Sequence, residues 1–317
     1  MPWLVTGGAG FIGSHLVDRL LATGEEVVAL DNFDDFYSED RKRANLAGAI
    51  GHPRFQFVRG DIGDAGAIDR LLRDLQPEVI IHLAARAGVR PSIEQPALYA
   101  QVNITGTVQL LEAACRIDPR PRFLYASSSS VYGNRPDAPF RESDPVDHPI
   151  SPYAATKKAC ELLAHTFHHL HGLPVTGLRF FTAYGPRNRP DLAIFKFARL
   201  IDEGRPVPMF GDGTSRRDYT YVADIVDGIT RAADRCSSYH IYNLGNSQPI
   251  ELRKMIAMLG KALGKEPIIE SHPEQPGDVR LTCADTSLAE AEIGYRPTMP
   301  FQEGLARFTD WFRSAGT

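Results

Sequence analysis

The chain has 317 residues, 43% of them hydrophobic and 23% charged, which describes a folded globular protein with room for one large domain or two smaller ones. Its 35 Lys and Arg against 39 Asp and Glu leave a formal net charge of -4, so nothing in the overall charge draws it to nucleic acid or to an anionic membrane. Cys115, Cys160, Cys236 and Cys283 lie scattered without C-x-x-C spacing, which implies neither a disulfide framework nor a zinc site and favours a cytoplasmic location.

Met1 to Thr6 enters a folded pattern at once, with no signal-peptide pattern, and no apolar run approaches the roughly 20 residues of a membrane span, so neither secretion nor a membrane partner is expected. From residue 1 to about 180, short β-branched runs alternate with amphipathic stretches. The runs are at Trp3 to Val5, Val27 to Leu30, Phe55 to Val58, Val79 to Leu83, Phe123 to Ala126 and Val175 to Arg179. The helical stretches are at Ser14 to Ala22, Ala67 to Leu75, Val102 to Cys115 and Tyr153 to His171. Strands alternating with helices imply βαβ units and a doubly wound α/β fold with a parallel sheet. After Tyr184 the chain becomes irregular and Pro/Gly-punctuated, with helices near Ala193 to Asp202, Glu251 to Leu263 and Phe301 to Arg313, and a strand-like run His240 to Leu244 that suggests a return to the first sheet. The expected division is a dinucleotide-binding domain at 1–182 with a return segment at about 219–247, and a smaller lobe at 183–218 and 248–317.

Directly after the first strand comes Thr6-Gly7-Gly8-Ala9-Gly10-Phe11-Ile12-Gly13, and a helical pattern follows. Glycines at 7, 10 and 13 let the backbone turn tightly, admit a pyrophosphate and aim helix N-terminal N–H groups at it. The second strand ends in Asp31, placed to accept hydrogen bonds from ribose hydroxyls and to repel a 2′-phosphate, which favours NAD over NADP. Asp61 and Ala84-Ala85 sit where later βα turns face the same cofactor.

Tyr153 and Lys157 are four residues apart on a helical stretch and so share a face. At about 4 Å and an effective dielectric of about 20, an ammonium favours the phenolate by roughly 4 kcal/mol, enough to make the tyrosine a general base near neutral pH. Ser127, Ser128 and Ser129 follow the fifth strand at the carboxyl edge of the sheet, where ligands of such folds bind. The histidines at 165, 168, 169 and 171 follow the helix toward its C-terminal end, where they suit the dipole and the solvent, and no metal is expected there.

The glycine motif, Ser127-Ser128-Ser129-Ser130-Val131-Tyr132-Gly133 and Ser151-Pro152-Tyr153-Ala154-Ala155-Thr156-Lys157 together resemble the extended short-chain dehydrogenase/reductases over nearly the whole chain. Asp31 to Tyr37 with Lys42, Ala85 to Arg90 and Tyr184 to Asp191 resemble most closely the UDP-glucuronate 4-epimerases within that superfamily. The resemblance implies C4 epimerisation of a UDP-sugar through a transient 4-keto intermediate, with NAD retained. It places the catalytic hydroxyl at Ser128 beside Tyr153 and Lys157. It also implies cofactor contacts at Gly7, Gly10, Phe11, Ile12, Gly13, Asp31, Asn32, Lys42, Asp61, Ile62, Leu83, Ala84, Ala85, Tyr153 and Lys157. Related dehydratases carry an Asp-Glu pair in the serine stretch and related decarboxylases a Glu, whereas this chain has serines alone. Thr182 after Phe180-Phe181 likewise resembles the uronate epimerases rather than the UDP-galactose enzymes.

For the UDP-sugar, Arg217 matches the family's diphosphate stretch, Val207 and Phe210 are placed to flank the uracil, and Arg280 and Asp278 are further candidates for the diphosphate and ribose. For a C6 carboxylate, Ser127, Ser129, Thr182 and Arg189 are candidates, with Arg90 an alternative, and the residues do not decide between them. Epimerisation of UDP-glucose or UDP-N-acetylglucosamine stays open as an alternative, as do a dehydratase, a decarboxylase and a non-catalytic NAD-binding protein. A homodimer is expected through the helices at 102–115 and 153–171, which carry Leu110, Leu111, Leu162 and Leu163.

Overall fold

The computed structural model describes residues 1–274 and 279–314. In chain order its strands are β1 (Trp3–Thr6), β2 (Val27–Asp31), β3 (Phe55–Arg59), β4 (Val79–His82), β5 (Arg122–Ser128), β6 (Val175–Phe180), β7 (Thr182–Tyr184), β8 (Val207–Phe210), β9 (Arg216–Tyr221), β10 (Tyr239–Leu244), β11 (Pro249–Glu251) and β12 (Ile269–His272). Seven of them form a parallel sheet in the order β3-β2-β1-β4-β5-β6-β10, as the alternation of strand and helix predicts. The order reverses between β1 and β4, so the carboxyl ends of these two strands open a crevice. Buried on both faces, β1, β2 and β4 read as continuous apolar runs.

Helices Phe11–Ala22, Val222–Arg235 and Ser287–Ile293 cover one face of the sheet, and Ala65–Leu75, Gly106–Arg116 and Pro152–His171 cover the other. A separate core lies between helices Ala193–Asp202, Leu252–Leu263 and Phe301–Ser314, beside the three-stranded sheet β11-β9-β7 and the pair β12-β8. Ala289, Ile293 and Tyr295, in the stretch that sequence assigns to the smaller lobe, pack instead in the core of the main sheet. The reason is local: Tyr242 in β10 donates to Glu292, and Tyr295 donates to Gly245 O just beyond the same strand. Among the described residues no helix is long and apolar enough to cross a membrane.

The helix expected to begin near Val102 opens with a π-helical turn at Ala100–Thr105. Such turns disturb the regular ladder and commonly carry function. Here the Asn103 amide donates to Arg86 O and Thr156 Oγ1, while Asn103 O accepts from Thr107 Oγ1. Thr107 belongs to a directional chain across the main sheet. Ala84 N–H donates to Thr6 Oγ1, the Thr6 hydroxyl meets His82 Nδ1 at 2.8 Å, and His82 Nε2 meets Thr107 Oγ1 at 3.0 Å. This pattern requires neutral His82 with its proton on Nε2, and burial, aided by Lys157, lowers the imidazole pKa to about 3.

Because the folded pKa lies below the ordinary value, the unfolded chain takes up the proton first, and the stability tied to neutral His82 is lost as pH falls below about 6.5. Between pH 7 and pH 5 the loss from this residue is about 2 kcal/mol. In denaturant unfolding, the stability gap between the wild type and His82→Asn is expected to shrink by that amount over the same interval. A constant gap would remove His82 as the cause.

Candidate active site

The first turn is dictated by contact. Gly7 has φ of +68°, and a Cβ there would stand 2.7 Å from Ala84 N. A Cβ on Gly13 would overlap the Gly7 carbonyl. The loop therefore lies against the end of β4 with the start of helix Phe11–Ala22 pressed onto it, and its N-terminal N–H groups point into the crevice. Gly10 caps that helix and donates to Gly7 O at 3.0 Å. Phe11 is buried in the core of the smaller lobe and Ile12 packs partly against it, so both offer the crevice their backbone.

Asp31 ends β2 with its carboxylate accepting from Ala9 N–H at 3.1 Å and Phe33 N–H at 2.9 Å. Burial pushes its carboxyl pKa up, opposed by those N–H groups and by Lys42. Two donor hydroxyls of a ribose are the partners such a carboxylate calls for, while a phosphate would bring charge against charge. Asn32 donates to Asp61 Oδ2 at 2.8 Å, closing the β2 and β3 turns on each other, and Ile62 is buried beside them. Leu83 and Ala84 are held to Thr6 through their N–H groups, leaving a small-residue floor that continues to Ala85. Lys42 is buried, donates to Asp34 O at 2.5 Å and lies 4.8 Å from the centroid of the Tyr37 ring.

The second cluster stands at the end of β5. Helix Pro152–His171 is capped by Ser151, whose Oγ accepts from Ala154 N–H, and it packs on β5 and on the short turn Ser129–Tyr132. Lys157 is 6% exposed, donates to Ala126 O at 2.8 Å and lies 6.0 Å from the centroid of the Tyr153 ring. Ser128 Oγ accepts from Ser130 N–H at 3.1 Å. Thus Ser128, Tyr153 and Lys157 come together at the carboxyl edge of the sheet, and Ser129 is partly exposed in the same turn. Ser127 does not join them, because its Oγ donates to Glu161 Oε1 at 2.7 Å inside the protein.

Across the crevice, Thr182 starts β7 opposite Tyr219. Arg189 is held by Asp191 through Nε at 2.9 Å and Nη2 at 2.8 Å. Burial opposes the charge of Arg189, but the bidentate bond to Asp191 outweighs it and holds the guanidinium above its ordinary pKa, with the Tyr153 and Tyr37 phenols also within electrostatic reach. Two guanidiniums lie near the Phe36 ring, Arg189 at 5.6 Å and Arg86 at 5.8 Å, and Arg86 pairs with Asp34 at 2.8 Å. Tyr99 meets the Tyr153 ring edge-on at 6.3 Å. Phe36, Tyr37, Tyr99 and Asp191 are site residues to which sequence alone assigned no role. Phe36, Tyr37 and Asp191 fall in stretches that carry the family resemblance, and Tyr99 falls in none of them.

Arg90, in the short helix Val89–Glu94 after β4, lies 4.8 Å from the ring of Phe210 in the smaller lobe, and His272 flanks that ring at 5.4 Å. Val207 is fully buried in the lobe core, so it presents no face to a base, because strand alternation turns it away from Phe210's neighbours. Arg217 leaves β9 opposite Ile250 and donates to Arg216 O. Arg280 projects outward with 83% of its side chain exposed, 3.4 Å from Glu274, and is not drawn to the other arginines. Asp278 lies outside the described residues.

The family model described as GDP-mannose 4,6 dehydratase matches residues 4–308, and the chain belongs to that family of extended short-chain dehydrogenase/reductases. A protein of Rhizobium meliloti named probable UDP-glucuronate 4-epimerase is 40% identical over 98% of this chain and 97% of its own length. The structure of UDP-glucuronic acid 4-epimerase from Bacillus cereus, in complex with UDP-glucuronic acid and NAD, superposes with a TM-score of 0.93 at 37% identity over 100% of both chains. A dTDP-glucose 4,6-dehydratase from Streptomyces venezuelae with NAD bound reaches the same TM-score of 0.93 at 34% identity, covering 99% of this chain and 97% of its own. Backbone likeness therefore does not separate the reactions, and the residues of the site must.

The close approach at Gly13 yields a direct test. Gly13→Ala is expected to be purified without bound dinucleotide and with a lower Tm, as measured by release of nucleotide on denaturation and by thermal unfolding. Retention of a full complement would show that the groove does not depend on that contact.

Proposed function

We propose that this chain interconverts UDP-glucuronate and UDP-galacturonate by epimerisation at C4, with NAD as its resident cofactor. The observation that carries the reading is the serine turn. The end of β5 offers hydroxyls alone around Ser128, and the carboxylate behind them, Glu161, is taken up by Arg179. Eliminating water needs an acid or base that serine does not supply, so the chemistry stays at the C4 oxygen and hydrogen.

In this reading the N–H groups from Gly7 to Gly13 hold the diphosphate of NAD, and Asp31, Asn32 and Lys42 hold its adenosine ribose. Asp61 and Ile62 border the adenine, and Leu83, Ala84 and Ala85 form the floor. Bound there, NAD supplies the hydride acceptor and donor. Tyr153 takes the proton of the sugar's 4-hydroxyl onto its phenolate oxygen and later returns it. Lys157 favours that phenolate and holds the nicotinamide ribose, and Ser128 Oγ hydrogen-bonds the sugar's 4-oxygen. Arg189, within electrostatic reach of Tyr153, is the cation for the C6 carboxylate, with Ser129 and Thr182 as hydroxyl donors. Arg90 over Phe210 belongs to the nucleotide end, and Arg217 is the cation for the diphosphate. The bidentate Asp191 already neutralises Arg189, which favours epimerisation of an uncharged UDP-sugar as the second reading.

The division into a dinucleotide-binding domain and a nucleotide-sugar lobe, joined twice through β10, follows from the same reading. A homodimer is part of it through helix Pro152–His171, where Leu162 is 59% exposed, whereas Leu110 and Leu111 are buried against the sheet. The four cysteines are free, in keeping with a cytoplasmic location.

Incubated with UDP-glucuronate without added NAD and followed by NMR, the protein is expected to yield the 4-epimer with its carboxyl group retained. Conversion of UDP-glucose alone would transfer the assignment to the neutral sugars. Tyr153→Phe is expected to lose at least about 100-fold in kcat while keeping its dinucleotide. Arg189→Gln is expected to raise KM for UDP-glucuronate by about tenfold with little change for UDP-glucose. An equal effect on both sugars would detach Arg189 from the carboxylate.

A further inference from the structure

For the Tyr153 phenol and the Ser128 hydroxyl to reach one oxygen, helix Pro152–His171 must sit on β5 in a single register. Three consecutive residues of β5 bear on this. Ala126 O accepts from Lys157 Nζ at 2.8 Å, Ser127 Oγ donates to Glu161 Oε1 at 2.7 Å, and Ser128 stands at the edge facing the site. Lys157 and Glu161 are one helical turn apart on the same face, so the helix is tied to the strand at two points along its axis.

Glu161 is 1% exposed and is gripped by Arg179 of β6, Nε to Oε1 and Nη2 to Oε2, both at 2.8 Å. Arg179, itself 2% exposed, gives Nη1 to Tyr132 Oη at 2.9 Å, and Tyr132 closes the turn that carries Ser129 and Ser130. Tyr132 in turn donates to Asn243 Oδ1 in β10 at 2.7 Å. One buried carboxylate thus joins the strand of Ser128, the helix of Tyr153 and Lys157, and the turn beyond Ser128.

A buried ion pair gives little net stability, because desolvation consumes most of its attraction. An apolar pair of similar volume would hold the helix on the sheet as well, but dispersion is non-directional and would not fix where along the strand the helix rests. We infer that Glu161, Arg179 and Ser127 are positioning residues that set the register of the Tyr153–Lys157 helix against Ser128. The inference rests on Ser128, Tyr153 and Lys157 being the reacting site.

Ser127→Ala in the full chain removes the tie between strand and carboxylate and leaves the Glu161–Arg179 pair in place. The expected result is a fall in kcat of about tenfold with KM within about twofold of wild type. Wild-type kcat, whether or not Tm falls, would reduce the network to packing and overturn the inference. Tyr153→Phe serves as the control. Normal turnover in that variant would overturn the site and this inference together, whereas an inactive Tyr153→Phe beside an unaffected Ser127→Ala would overturn the inference alone.

Discussion

Gly13 approaches the Gly7 carbonyl so closely that no side chain fits between them, and the crevice is built on that contact. It presses the first helix onto the turn after β1, so that its unpaired N–H groups face the place where the sheet order reverses. The same turn is tied sideways in two directions. Asp31 at the end of β2 accepts from Ala9, and Thr6 at the end of β1 accepts from Ala84 beyond β4. Three strand ends are thereby gathered around one loop, which gives a flexible sequence of small residues a single conformation. Everything that is expected to touch a dinucleotide is placed relative to it.

The fold and the placement of much of the candidate site were legible because they rest on local patterns. Strand–helix alternation announces a parallel sheet, and the glycines and the four-residue spacing of Tyr153 and Lys157 carry their geometry in the spacing itself. What could not be read were choices made by distant partners. Ser127 and Ser128 were both plausible contacts for substrate, but adjacent residues of a strand face opposite ways, and the one turned inward meets a carboxylate 34 residues away. Glu161 stands among apolar neighbours on its helix and Arg179 in a buried strand. Each signals that a partner must exist, without saying which. Val207 looked like a wall for a base because it is apolar, and for the same reason it is in the core. The π-helical turn at Ala100–Thr105 has no signature in the periodicity, since it is stabilised by side chains from other elements.

Charge around the crevice is organised by compensation rather than by excess. Arg86 leans on Asp34 and Asp35, Arg189 on Asp191, and both guanidiniums lie near the Phe36 ring. Lys42 lies over Tyr37 and donates a hydrogen bond to a carbonyl of the same loop. Held in this way, the cations keep their positions in the absence of an anion, so little side-chain freedom remains to be lost when one arrives. The loop from Asn32 to Ser38 serves both halves of the crevice, with its beginning on the Asp31 side and Phe36 against Arg189.

The chain leaves the main sheet after β6 and comes back as β10, which pairs with β6 along its whole length. During synthesis from the N-terminus, β6 therefore emerges with one edge bare and stays so until residue 244 has been made. The aromatic plug at Tyr295 arrives later still. An engineer wishing to give this scaffold a different nucleotide preference would face the same geometry. In the proposed division the substrate lobe is two segments, one on either side of the returning strand, so its exchange needs three joints and an intact β10 between the segments.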